Sequence, residues 1–240
     1  MLLNERRSST WNDLLDKTMT QALERIELEI GNNHTPEPKN VLRFMNNDLS
    51  KMKICIVGQD PYFSLDGENL VSIGRAFQPN NLVDWSQTYK QVSLKNMIRL
   101  IHKTYTGIEA YEEIKKYKEI VSEIQGGKFN IKPPKEWFDS MEEQGVLFLN
   151  RYLTTEIGVA NAHRDIWDDF MAKVIQYIDQ KRPDMIWFLW GTEAAGCAQL
   201  LSNGVRYLNR HPMMCSNKYD DDFLKAECFK RTMGIVNWLG

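Results

Sequence analysis

Lys53-Ile54-Cys55-Ile56-Val57-Gly58-Gln59-Asp60-Pro61-Tyr62 is the stretch on which the fold turns. Its first five residues form a short apolar run, the pattern of a strand buried on both faces. Gly58, Asp60 and Pro61 then break that pattern. Proline fixes its own φ and removes an amide donor, so Asp60 sits on a loop with little freedom. A carboxylate held at the carboxyl end of such a strand lies at the mouth of an open α/β sheet, where these folds bind ligands. The same residues also suit an ordinary strand-ending turn, so the rest of the chain has to decide between the two.

Working outward, residues 146–149, 185–189 and 205–208 are further apolar runs of strand length. Segments with helical spacing separate them. One of these has Ser93 as its cap and Leu94, Met97, Ile98 and Ile101 on one face; others cover 137–143, 167–180, 192–201 and 223–236. Alternating strands and helices predict an α/β fold, a single domain with a central four-stranded parallel sheet flanked by helices on both faces. Residues 1–40 read as an N-terminal helix and loop. Thr10 is the expected cap, Trp11 to Ile26 supply a helical stripe, and Pro36 and Pro38 mark the loop. Residues 105–135 read as a helical insertion with a charged helix over 108–124, ended by Gly126-Gly127 and Pro133-Pro134. Its charge favours a solvated decoration over a surface for DNA or a partner.

Composition narrows the class. The 240 residues suit one domain with a substantial core, and 42% hydrophobic with 26% charged residues is ordinary for a soluble globule. No apolar run is long enough to span a membrane, and residues 1–10 lack the apolar core of a secretory signal. Cys55, Cys197, Cys215 and Cys228 are scattered without paired spacing. That argues against a zinc or iron–sulfur site and fits free thiols in a reducing cytoplasm. A net charge of −2 argues against holding nucleic acid by bulk charge. DNA contact would then rest on segregated cations such as Arg75, Lys90, Lys95, Arg164, Arg210 and Lys218.

Three further segments accompany the Asp60 loop in order: Gly74-Arg75-Ala76-Phe77; Gly145-Val146-Leu147-Phe148-Leu149-Asn150, followed by Leu153-Thr154; and His211-Pro212. Weaker matches lie at Ser93-Leu94-Lys95-Asn96, Phe188-Leu189-Trp190-Gly191 and 223–229. On these residues the chain, from about Val41 to Trp238, resembles the uracil-DNA glycosylase superfamily. The resemblance implies roles. Asp60 would direct water and His211 would donate to the leaving base. Asn150 would read the pyrimidine edge, Phe77 would stack on it, Tyr62 would wall its 5-position and Gln59 would offer backbone donors. Ser93, His163, Pro212, Met213, Met214 and Ser216 would contact DNA. It also implies a monomer that needs no metal or cofactor and acts on a flipped pyrimidine in single- or double-stranded DNA.

These residue types suit the chemistry. The base must leave the stack before its sugar bond is reachable. It departs as an anion and needs a donor aimed at its oxygen. The sugar becomes cationic while water reaches its anomeric carbon, and one carboxylate helps with both. A side-chain amide offers one donor and one acceptor to a pyrimidine edge. Each residue also has an ordinary role: Asp60 as a turn cap, Asn150 as a turn-former, Phe77 in the core, His211 as a structural histidine.

The chain departs from the family in four places. Phe63 stands where many members have His. The stretch 63–73 is longer than usual. Gln78 to Val92, with Trp85, Tyr89 and Lys90, replaces a proline-rich loop. Met213-Met214-Cys215-Ser216 replaces Ser-Pro-Leu-Ser, putting Cys215 at the position of the DNA-inserting Leu. Met213 or Met214 is then the expected apolar wedge. The altered loops keep three readings open: excision of uracil; excision of a hypermodified pyrimidine, such as glucosylated hydroxymethylcytosine, from phage DNA as defence; and non-catalytic DNA binding. Retention of Asp60, Asn150 and His211 argues against the last.

Overall fold

The computed structural model describes Leu2, Leu3 and residues 6–240. Four strands form the central sheet: β1 (Ile54–Gly58), β2 (Val146–Asn150), β3 (Ile186–Trp190) and β4 (Val205–Asn209). They lie in the order β2-β1-β3-β4 and all pair in parallel. The register sets Gly58 beside Asn150 and Trp190 beside Asn209, so the carboxyl ends align. From β1 the chain runs to β2 on one side, then crosses to β3 on the other. The crevice at that reversal is where open sheets bind ligands.

Alternation along β1, β2 and β3 builds two cores; β4, expected as a buried run, is instead an edge strand with Val205 54% and Leu208 49% exposed. Cys55, Val57, Leu147, Leu149, Trp187 and Leu189 face one side; Ile54, Ile56, Val146, Phe148, Phe188 and Trp190 face the other. Both sets are buried, which is why these strands read as continuous apolar runs. Among the helices that enter the packing are α1 (Lys17–Ile30), α2 (Val92–Thr106), α3 (Tyr117–Gln125), α4 (Pro134–Glu143), α5 (Arg164–Lys181) and α6 (Cys228–Thr232). α1 and α5 cover the first face, while α2, α4 and the C-terminal segment with Phe229 and Trp238 cover the second. Among the described residues no helix is long and apolar enough to cross a membrane.

Several element expectations are corrected. α1 starts at Lys17 rather than after Thr10, because the Asp16 carboxylate accepts the Met19 amide at 2.8 Å and caps it there. Ser9–Trp11 is a separate 3-10 turn whose fully buried Trp11 donates to the Asn47 carbonyl. Its apolar residue therefore follows packing, not helix period. Ser93 is not a cap but lies in the first turn of α2, which begins at Val92. Residues 192–201 divide into Thr192–Gly196 and a 3-10 turn, and residues 223–236 divide into a 3-10 turn at Phe223–Lys225 and α6. The 108–124 helix is also divided. Tyr111–Glu113 is a 3-10 turn, and the chain restarts as α3 where the Glu119 carboxylate accepts the Lys116 amide at 2.8 Å. Ile114, Ile120, Phe129 and Ile131 are buried in the second core, so this insertion is packed structure and not a solvated decoration.

Candidate active site

Asp60, Asn150 and His211 all sit just beyond or at the carboxyl ends of the strands, on the loop after β1, the last residue of β2 and the loop after β4. The Asp60 loop is locked from across the crevice. The Asn161 amide donates to Asp60 Oδ2 at 2.9 Å, and the Gln59 side-chain amide donates to Asn161 Oδ1 at 2.5 Å. Asn161 holds φ at 60°, a left-handed backbone that Asn tolerates better than most residues. In the sequence Asn161 opens the stretch Asn161-Ala162-His163-Arg164, which resembles a family loop near the DNA, but nothing there gives it a role of its own. Burial raises the Asp60 carboxyl above its ordinary range. Bonds from the Asn161 amide and its own amide oppose that, and the Glu193 charge adds to it.

Asn150 is only 5% exposed, yet its side-chain amide has no hydrogen-bond partner among the described residues. It lies directly over Gly58: a Cβ there would fall 2.5 Å from Asn150 Oδ1 and 3.6 Å from the Phe77 ring. Gly58 is thus the floor on which the amide and the ring meet. Phe77 has a backbone φ of 65°, strained for a bulky residue and worth about 1–3 kcal/mol. Its carbonyl accepts the Tyr62 hydroxyl at 3.0 Å, and its ring lies 6.0 Å from Trp190. Phe77 is also a member of the second core. Burial keeps the Tyr62 phenol neutral by pushing its pKa up.

His211 Nδ1 accepts the Met213 amide at 3.2 Å. A neutral ring with an accepting Nδ1 carries its proton on Nε2, and Nε2 has no partner among the described residues. Burial favours this neutral form by lowering the imidazole pKa. Gly191, at φ 84°, makes room behind the ring: a Cβ there would sit 2.8 Å from His211 Cβ. A cavity of about 290 Å³ opens beside the ring, lined by Gln59, Trp190, Glu193, His211, Met213 and Met214. Glu193 is held in place by the Tyr152 hydroxyl and the Arg164 guanidinium, both at 3.1 Å.

The remaining expected residues divide. Met213 and Met214 are more than half exposed, while Cys215 turns inward and its thiol donates to the Pro212 carbonyl at 3.3 Å. Of the apolar residues in this loop, the two methionines are therefore the exposed ones. Pro212 is buried, Ser216 spends its amide on Asp222, and Ser93 is partly exposed on α2. His163 is corrected: it is buried, hydrogen-bonded to Thr154 at 2.9 Å, and supports the Asn161 loop from within. Arg75 is corrected too, being 3% exposed and paired with Glu142 and Asp139. Lys95 caps the Tyr89 carbonyl, and Arg164 and Arg210 pair with Glu193 and Asp221. Lys90 and Lys218 are exposed and have no ion pair among the described residues.

No protein-family model matches the chain. Over 215 residues it is 27% identical to the uracil-DNA glycosylase of Yersinia pestis (strain Pestoides F), a match covering 85% of this chain and 80% of that one. The corresponding protein of Yersinia pseudotuberculosis serotype O:3 (strain YPIII) is 26% identical with the same coverage. Among solved structures, the wild-type UNG from Nitratifractor salsuginis superposes with a TM-score of 0.68 over 96% of this chain and 93% of that one, at 17% identity. Mimivirus uracil-DNA glycosylase superposes with a TM-score of 0.62 over 88% and 70%, at 22% identity. At those identities the structural matches speak to the fold.

Proposed function

We propose that this chain, a divergent member of the uracil-DNA glycosylase superfamily, is a monofunctional glycosylase that hydrolyses the N-glycosidic bond of uracil flipped out of DNA. The observation that carries this reading is Asn150, 5% exposed and with no side-chain hydrogen bond among the described residues, close to the ring of Phe77, whose carbonyl holds Tyr62. One amide donor and one acceptor match the uracil edge. Tyr62, fixed by its bond to the Phe77 carbonyl, would wall the 5-position of the base, which favours uracil over thymine.

In the reaction the bond between C1′ and N1 breaks and its electron pair leaves with the base. His211 Nε2–H donates to the developing negative charge on the base oxygen. Asp60 faces the positive sugar and takes a proton from the attacking water, whose oxygen joins C1′. The products are free uracil and an abasic strand. No lysine stands at these positions to form a covalent adduct, which supports hydrolysis over strand cleavage. The exposed pair Met213-Met214 would fill the gap left by the flipped base. Lys90 and Lys218 would meet phosphates. The protein acts as a monomer, and its four unpaired cysteines suit a reducing cytoplasm.

Two predictions test the geometry. Gly58→Ala drives a methyl group into the Asn150 amide. It should lower base release at least about tenfold through misplacement, while overpacking costs about 1–3 kcal/mol of stability. Single-turnover rates and thermal unfolding measure the two; unchanged turnover would remove Asn150 from the site. The pH dependence is the second. Asp60 must be ionised and His211 neutral, so both lose function as pH falls. Burial raises Asp60 from 3.8 and lowers His211 from 6.5. The rate should therefore fall as pH drops, with the acid limb above 3.8; a rate that rises as pH falls would contradict an ionised Asp60 and a neutral His211.

A second reading has one specific observation behind it. The longer loops after Tyr62 and Phe77 enclose a cavity of about 240 Å³ lined by Ser64, Asp66, Asn81, Thr88 and Tyr89 among others. The buried Tyr89 hydroxyl there lies beside that of Tyr117. Such a polar space beside the base wall suits the substituent of a hypermodified pyrimidine, such as glucosylated hydroxymethylcytosine in phage DNA. Oligonucleotides carrying uracil or that base, scored for alkali-labile abasic sites, separate the readings. Sites only with uracil support the first, and sites only with the modified base support the second. Binding without cleavage of either leaves a non-catalytic DNA-binding protein.

A further inference from the structure

The segment 107–116 of the insertion reaches the loop that carries His211 from behind, and it does so at both ends of that loop. At the far end stands Asp222, whose carboxylate is fully buried. It accepts the Ser216 amide at 2.5 Å, the Leu224 amide at 2.9 Å and the Tyr111 hydroxyl at 3.1 Å. The neighbouring Asn217 side chain donates to Glu112 Oε1 at 2.7 Å. Lys225, which donates to the Asn217 carbonyl, lies over the Tyr111 ring. At the near end the Pro212 carbonyl accepts the buried Asn96 side chain at 2.6 Å. Asn96 is set by Arg99 at 2.9 Å, and Arg99 donates to the Lys115 carbonyl at 2.8 Å.

We propose that this segment is a buttress that fixes the pose of the 211–217 loop, with Tyr111, Glu112 and Asp222 as positioning residues. A buried carboxylate holds its donors by charge-assisted bonds and is costly to leave under-satisfied. Removing the Tyr111 hydroxyl therefore loosens the same group that anchors Ser216. Between the two anchors stand Met213 and Met214, the exposed part of the loop. A side chain that parts stacked bases works against a stacking cost of a few kcal/mol. The loop behind it must then resist displacement, whereas in single-stranded DNA there is no opposing stack. The buttress consequently matters most on duplex substrate. This role rests on reading the loop as the glycosylase's leaving-base and wedge loop.

The test compares wild type, the Tyr111→Phe/Glu112→Ala double variant and Glu112→Gln, which keeps an acceptor for Asn217. Hydrogen exchange across 211–217 in the free protein is measured first, then single-turnover release of uracil from duplex and from single-stranded DNA. The double variant should exchange several-fold faster at Ser216 and Asn217. It should also lose about tenfold in rate on duplex, the scale of one lost hydrogen bond, and stay within about twofold on single strands. Glu112→Gln should match wild type in both measurements. Unchanged exchange overturns the proposal whatever base the enzyme removes. Equal losses on both forms of DNA also overturn it, because they assign the segment to general stability. A wild type inert on uracil, with faster exchange in the double variant, leaves the buttress standing and rejects the uracil reading instead.

Discussion

Asp60→Asn is expected to lower base release in single turnover by about 10²–10⁴-fold, the usual contribution of a positioned general base, with DNA affinity within a few-fold of wild type. The substitution is chosen because the geometry survives it. Asn keeps an acceptor oxygen for the Asn161 amide that now bonds Asp60 Oδ2 at 2.9 Å. What disappears is the negative charge opposite the sugar and the site that receives a proton from water. Loss of charge from a partly buried position also removes a desolvated carboxylate, which tends to raise stability rather than lower it. A fall in rate therefore cannot be traced to unfolding. Fluorescence anisotropy on an uncleaved oligonucleotide gives the affinity. A rate within tenfold of wild type would leave Asp60 as the turn cap that it also resembles.

His211→Ala is expected to cost about 10²–10³-fold in rate, the scale for one preorganised donor to a developing anion. The direction follows from the tautomer. The Met213 amide occupies Nδ1, which leaves the Nε2 proton for the base, and burial holds the ring neutral. A neutral donor stabilises the anion without passing a full proton to it, so the loss should be nearly constant from about pH 7 to 8. His211→Gln, which retains an N–H donor, should recover part of the rate. If His211→Ala were as fast as wild type, the histidine would be a packing residue filling the space behind Gly191. Thermal unfolding separates that case, since a packing residue lost to Ala lowers stability while leaving turnover alone.

How much of this was legible in the sequence depended on the range of the interactions involved. β1, β2 and β3 were legible because burial on both faces writes itself as an unbroken apolar run; the edge strand β4 carries no buried residue, and the candidate site residues were placed by where the strands end. Asn150 directly follows the run 146–149, and Asp60 and His211 stand three residues after the last of 53–57 and 205–208. Long-range pairing was not legible. Arg75 reads as a DNA-facing cation beside a motif, yet it is neutralised by Asp139 and Glu142, more than sixty residues away. His163 reads as a surface residue, yet it turns inward to Thr154. The insertion reads as solvated because its sequence is charged. Its Tyr111 nonetheless finds Asp222, and its Ile114 and Ile120 find the second core. The start of α1 was misplaced for a related reason: Trp11 matches helical spacing, but its indole is placed by the Asn47 carbonyl. The strained φ of Phe77 has no sequence signal at all, because a Phe does not announce a left-handed backbone.

The central claim is that the crevice between β1, β2 and β4 breaks a single bond, the one joining uracil to its sugar, with water as the nucleophile. Mass spectrometry of a duplex carrying one uracil, incubated with wild-type protein in ¹⁸O-water, tests it most directly. The account predicts free uracil and an intact abasic strand with the heavy oxygen on C1′. Unchanged DNA, or a strand cut at the lesion through a covalent protein adduct, would contradict it.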